Sequence, residues 1–131
     1  MADAHKHLII RAETDNTPID PEFVANWLSA LVEKIDMKLL GILKPNPTVG
    51  YCDIAGNRGL TGVALIETSH IVIHAWDEPG PKGGKGLCQL DVYTCSDMDP
   101  QDVFDHFQVF QPTKISYKYL DRETDLIEIK I

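Results

Sequence analysis

The stretch LTGVALIETSHIVIHAW, residues 60–76, leaves this 131-residue chain little freedom of fold. It is β-branched and apolar, which is strand chemistry. It reads as two strands, 60–67 and 69–76, with almost nothing between them. Side chains alternate along a strand, so Ser69, Ile71 and Ile73 point to one face and His70, Val72 and His74 to the other. A serine and two histidines inside such a run pose the chemical question. The flanking segments set the architecture.

HLIIRA (7–12) reads as a first strand. Residues 20–36 read as a helix, with Asp20 as cap, Pro21 at the first helical position and Glu22 at the positive end of the dipole. Phe23, Val24, Trp27, Leu28, Leu31, Val32 and Ile35 recur at helical spacing and make one apolar stripe. KLLGILK (38–44) is expected to be a strand, stopped by Pro-Asn-Pro at 45–47. Residues 45–59, rich in Gly, Pro, Asn and Asp, are expected to form a long loop, a class of segment that is often functional. An exposed connection (78–86) leads to another strand at 87–95. A second Asp-Pro opening starts a helix over 99–110, with Val103, Phe104, Phe107 and Phe110 on one face. Segments 114–121 and 125–131 close the chain as strands. This order predicts an α+β two-layer sandwich: an antiparallel sheet with two helices on one face, in a single domain spanning residues 1–131. The other sheet face is left to pack on a second copy.

Twenty acidic against 12 basic residues give a net charge of −8, which argues against a nucleic-acid partner. No run approaches a membrane span. Cys52, Cys88 and Cys95 form no Cys-x-x-Cys pair, which suits a reducing, cytoplasmic setting. Gly-Gly-Lys-Gly at 83–86 lacks phosphate-loop spacing and opens no helix. His70, His74 and Cys95, with His5 or His7, offer donors that zinc accepts. His70 and His74 nevertheless lie ~13 Å apart on a strand, so no metal site is expected.

Taken together, GLTGVALIETSHIVIHAWDE and LDVYTC resemble the core of the prokaryotic S-adenosylmethionine decarboxylase proenzymes. The linked elements are Ser69-His70, His74-Ala75-Trp76-Asp77-Glu78 and Asp91-Val92-Tyr93-Thr94-Cys95, and the likeness is close over residues 59–107. The resemblance implies a pyruvoyl-dependent decarboxylase of polyamine and spermidine biosynthesis, cut by itself between Thr68 and Ser69. In that family the serine attacks the preceding carbonyl, β-elimination splits the chain, and residue 69 becomes a pyruvoyl group whose ketone takes the substrate amine as a Schiff base. The implied roles are His74 as base, Thr61 in place of a helper serine at the oxyanion, Cys95 as general acid and Glu78 on the substrate ribose. A homodimer with sites at its interface is implied as well.

Three departures bear on the substrate. Thr68 stands where the family has a glutamate that holds adenine, and Glu67, one place earlier, points to the opposite face. Ala55 stands where an aromatic stacks on adenine, with Tyr51 as its stand-in. The hairpin after Glu78 is longer than the family's. Two substrates are therefore expected, S-adenosylmethionine or a basic amino acid that suits an acidic chain. A homologue that does not self-cleave and acts as a binding module is the alternative.

Overall fold

In the computed structural model, residues 4–41, 44–78 and 86–131 are described. Seven strands, β1 (Lys6–Thr14), β2 (Thr48–Cys52), β3 (Gly59–Ile66), β4 (Ser69–Trp76), β5 (Gly86–Thr94), β6 (Pro112–Asp121) and β7 (Ile127–Glu128), form one antiparallel sheet. Its order is β2-β3-β4-β5-β1-β6-β7. Two helices, α1 (Pro21–Lys34) and α2 (Pro100–Phe107), cover one face, as expected from the element order. A 3₁₀ turn, Gln108–Phe110, ends the second helix, and Gln111 in the left-handed region (φ 52°) turns the chain into β6.

Period-two alternation builds the inner face. Leu8, Ile10 and Ala12 of β1, Ile71, Ile73 and Ala75 of β4 and Cys88, Leu90 and Val92 of β5 are buried beneath the helices. His70, Val72, His74 and Trp76 lie on the outer face, half-buried. Gly62 of β3 lies beneath α1. A Cβ there would meet the methyls of Val49, Leu28 and Ile73 at 3.1–3.2 Å.

Both helices begin as their sequences dictate. The Asp20 and Asp99 carboxylates accept from the amides of Glu22 (3.1 Å) and Gln101 (3.0 Å), each followed by proline. Phe23, expected in the apolar stripe, is instead 45% exposed, because it lies to the side of the face that meets the sheet. Where the helices cross, Trp27 Nε1–H donates to the His106 carbonyl (3.1 Å), and His106 Nε2–H returns a bond to the Trp27 carbonyl (2.9 Å). Burial lowers the His106 pKa, the Trp27 carbonyl opposes that, and nearby Lys34 adds to it. Removing the indole by Trp27→Ala is expected to cost about 3–5 kcal/mol in denaturant unfolding, as for other buried aromatics. A loss below ~1 kcal/mol would show that this crossing carries little of the stability.

The strand expected at 38–44 does not form, although residues 42–43 lie outside the described chain. Leu39 makes only an isolated bridge to Ile66. Two backbone bonds remain, from the Leu40 amide to the Leu65 carbonyl and from the Glu67 amide to the Lys38 carbonyl (both 2.9 Å). The Asn46 side-chain amide supplies the rest, donating to the Leu40 and Leu65 carbonyls (3.2 and 2.7 Å) and accepting from the Leu65 amide (3.0 Å). The long loop expected over 45–59 contains β2, paired along β3 from Thr48↔Val63 to Cys52↔Gly59. The final strand shrinks to Ile127–Glu128. The connection at 78–86 falls almost wholly on residues 79–85, outside the described chain.

Candidate active site

Strands β3 and β4 are joined by a turn of only Glu67 and Thr68, with Ile66 paired to Ser69. Closing so tight a turn puts Ser69 at φ 137°, a region that side-chain-bearing residues rarely occupy and that costs about 1–3 kcal/mol. Ser69 also pairs with Thr94 of β5, which brings the next residue of that strand's exit, Cys95, to the turn. The Cys95 amide donates to the Thr68 carbonyl at 2.7 Å. The Thr68 hydroxyl points inward and donates to Met37 Sδ (3.1 Å), while the fully buried Thr94 hydroxyl donates to Thr68 Oγ1 (3.1 Å). The peptide between residues 68 and 69 is thus strained on one side and pinned on the other.

The remaining candidates gather at the opposite end of the same hairpin. Thr61 faces His74 across the β3–β4 pair, with Oγ1 and Nδ1 sharing a hydrogen at 3.2 Å. Any proton transfer by His74 then falls to Nε2. Its ring stacks on Trp76 at 5.8 Å, and Trp76 Nε1–H donates to Asn57 Oδ1 (3.0 Å). Glu78 is held by Arg58 Nη1 (2.7 Å) and the Gly56 amide (2.8 Å), and Tyr51 donates its hydroxyl to Asp77 (3.0 Å). Ala55 sits in the exposed turn of this loop.

Ser69 and His74 are five positions apart on one strand, roughly 16 Å at ~3.3 Å per residue. One chain therefore brings together Thr68, Ser69 and Cys95, and separately Tyr51, Thr61, His74 and Glu78. These are two separate groups at opposite ends of one hairpin.

A third group escaped the sequence reading. On the outer face beside the Ser69 turn, His7 Nε2 meets Asp91 Oδ1 at 2.5 Å, and His70 Nε2 approaches the same oxygen at 3.6 Å. Arg122 lies over the Tyr93 ring (4.3 Å), and the Tyr93 hydroxyl bonds His5 Nδ1 (3.1 Å). Asp91 and Tyr93 stood in a motif already singled out, and His5, His7 and His70 were weighed only as zinc donors. Arg122, and the meeting of these groups, arrive only through strand pairing. Of the other cysteines, Cys88 is unsuited to acid–base work at neutral pH. Burial pushes its thiol up to about 11, with the Thr14 hydroxyl pulling the other way. Among the described residues, no three His, Cys, Asp or Glu side chains are grouped so as to hold a metal ion, and no helix is long and apolar enough to cross a membrane.

The sequence profile described as S-adenosylmethionine decarboxylase matches residues 6–123. The chain belongs to the S-adenosylmethionine decarboxylase family. Its similar relatives include three proteins called S-adenosylmethionine decarboxylase proenzyme. That of Picrophilus torridus is 36% identical over 72 residues, covering 53% of this chain and 51% of that protein. That of Pyrobaculum arsenaticum is 39% identical over 77 residues, 57% of each. That of Thermococcus onnurineus is 31% identical over 110 residues, 77% of this chain and 65% of that protein. The chain thus spans about half to two thirds of the length of these relatives. The crystal structure of the adenosylmethionine decarboxylase from Aquifex aeolicus VF5 superposes with a TM-score of 0.60 at 24% identity, over 98% of this chain and 96% of that one. That likeness is one of fold, and it places the sheet and both helices within the family's architecture.

Proposed function

We propose that this family member is a pyruvoyl-dependent decarboxylase that cuts itself between Thr68 and Ser69. The observation that carries the reading is the Ser69 turn: a serine at φ 137° directly after a carbonyl that accepts the Cys95 amide at 2.7 Å. That amide stabilises the negative charge that grows on the Thr68 oxygen as Ser69 Oγ attacks it. The C–N bond then breaks, the amine is freed on residue 69, and Thr68 is left as an ester of the serine. Removal of the residue 69 α-proton by a base expels the Thr68 carboxylate and leaves dehydroalanine. Water replaces the nitrogen as ammonia, and residue 69 ends as a pyruvoyl group, which supplies an electron sink for decarboxylating an amine-bearing substrate.

His74 is the base in this scheme, and Thr61 holds its Nδ1. Proton transfer needs contact at ~3 Å, so roughly 16 Å along one strand rules out His74 acting on the Ser69 of its own chain. The outer sheet face supports a paired arrangement. It carries Ile9 (39% exposed) and Leu65 (37% exposed) with Val63 and Val72, an apolar surface that suits a second copy. A twofold axis across the strands sets the Ser69–Cys95 end of each protomer against the Thr61–His74–Glu78 end of its partner, giving two equivalent sites. Cys95 then delivers the proton to the decarboxylated carbon, and Glu78 and Tyr51 frame the substrate. An acidic protein with free cysteines suits cytoplasmic work.

The relatives' names support S-adenosylmethionine as substrate. One observation counts against adenine being held at residue 68 and keeps a basic amino acid as the second candidate. Thr68, which stands in place of the adenine-holding glutamate, spends its hydroxyl on Met37 inside the fold. Intact mass of the denatured protein tests the chemistry: two fragments, 1–68 and 69–131, the second with a pyruvoyl-blocked first residue. A single full-length mass after prolonged incubation sinks it. Release of labelled CO₂ from the carboxyl-labelled candidates then separates the substrates.

A further inference from the structure

Self-cleavage turns the cofactor-bearing residue into a chain end, and chain ends fray unless something ties them down. The Thr68 end keeps its own ties to the Cys95 amide, Met37 and Thr94. Residue 69 fares worse. On becoming a pyruvoyl group it loses its N–H, its hydroxyl and its covalent link to Thr68, and is left with carbonyl oxygens alone. The first side chain able to hold the new end of β4 is His70.

His70 is built into a network drawn from three strands. It pairs with Tyr93 across the β4–β5 ladder, and the two rings pack at 5.7 Å. Its Nε2 lies 3.6 Å from Asp91 Oδ1, beyond a full hydrogen bond but within reach of an ion pair. The same oxygen is fixed by His7 at 2.5 Å. Arginine has only donors, so the Arg122 Nη1 contact to His7 Nδ1 (3.1 Å) puts the His7 proton on Nε2, facing Asp91. Burial alone would raise the Asp91 pKa. The His7 hydrogen bond and the neighbouring His7 and His70 rings outweigh it and hold the carboxyl below its ordinary value, so Asp91 is ionised opposite His70. Arg122 also covers Tyr93 at 4.3 Å, locking the ring against which His70 packs.

We propose that Arg122, His7, Asp91 and Tyr93 form a clamp on His70 that keeps the pyruvoyl-bearing end of β4 seated after the chain is cut. The proposal rests on the self-cleavage proposed above. It makes Asp91 a positioning residue, idle before the cut and needed after it.

The test places Asp91→Asn in two backgrounds, the self-cleaving protein and the uncut Ser69→Ala variant, and reads amide hydrogen exchange over residues 70–73. In the uncut background the covalent chain holds the strand, and exchange should change by less than about twofold. In the cut protein exchange over these residues should rise about tenfold or more, with kcat reduced by a similar factor and the extent of cleavage unchanged. Asp91→Glu, which keeps the charge, should recover part of both losses. Equal loosening in both backgrounds would make Asp91 a plain support of the sheet and overturn the clamp, as would unaltered exchange in the cut protein. A parent chain that stays whole overturns the proposed function, and the clamp with it.

Discussion

A Ser69→Ala variant should remain one continuous chain under denaturing conditions, while the parent protein separates into two. The expected change is from near-complete cutting to none, because the proposed nucleophile is the Ser69 oxygen and alanine offers nothing in its place. The surrounding turn should survive. Its ties run through the Cys95 amide, the Thr68 hydroxyl and the Thr94 hydroxyl, none of which involves the Ser69 side chain. Far-UV circular dichroism of the variant should therefore match that of uncut parent. Two fragments from Ser69→Ala would mean that a different atom, or a contaminating protease, breaks the chain.

Complementation should give the second large effect. His74→Ala chains are expected to stay whole on their own, as are Ser69→Ala chains. When the two are co-expressed in equal amounts and pair at random, about half of the His74→Ala chains find a Ser69→Ala partner. Each such pair holds one complete site, with Ser69 and Cys95 from one chain and Thr61 and His74 from the other. About half of the His74→Ala chains should then be cut, and no Ser69→Ala chain. Failure to cut any would contradict a site shared between chains and return the problem to a single protomer, where roughly 16 Å of strand must be bridged in some other way.

Much of the frame was legible because it is written locally. Alternation in β3, β4 and β5 and the two Asp-Pro helix starts depend on neighbours in sequence, and each stands where the residues put it. β2 was hidden because Gly50 and the prolines before it carry loop chemistry, and its pairing partner β3 lies beyond a turn. The strand expected at 38–44 failed for the converse reason. Apolar residues supplied the pattern, but only two backbone bonds form there and the Asn46 amide, a side chain, takes up the neighbouring groups. The division of the candidate site into two ends was available from strand geometry, since residues five apart cannot meet. The His7–Asp91–Arg122 network was not, because β1 sits between β5 and β6 only in the folded sheet.

That placement of β1 changes what cutting the chain means. Residues before the turn supply β1, β2 and β3, and residues after it supply β4 to β7. In the sheet order the two sets interleave, with β1 hydrogen-bonded on one side to β5 and on the other to β6. Neither fragment can leave without opening three ladders, β3–β4, β1–β5 and β1–β6. The cut protein is therefore a woven pair of chains that behaves as one body while folded, yet its unfolding changes the number of particles. Its thermal midpoint should rise with protein concentration by mass action, and more steeply than that of the uncut Ser69→Ala protein, which comes apart into fewer particles.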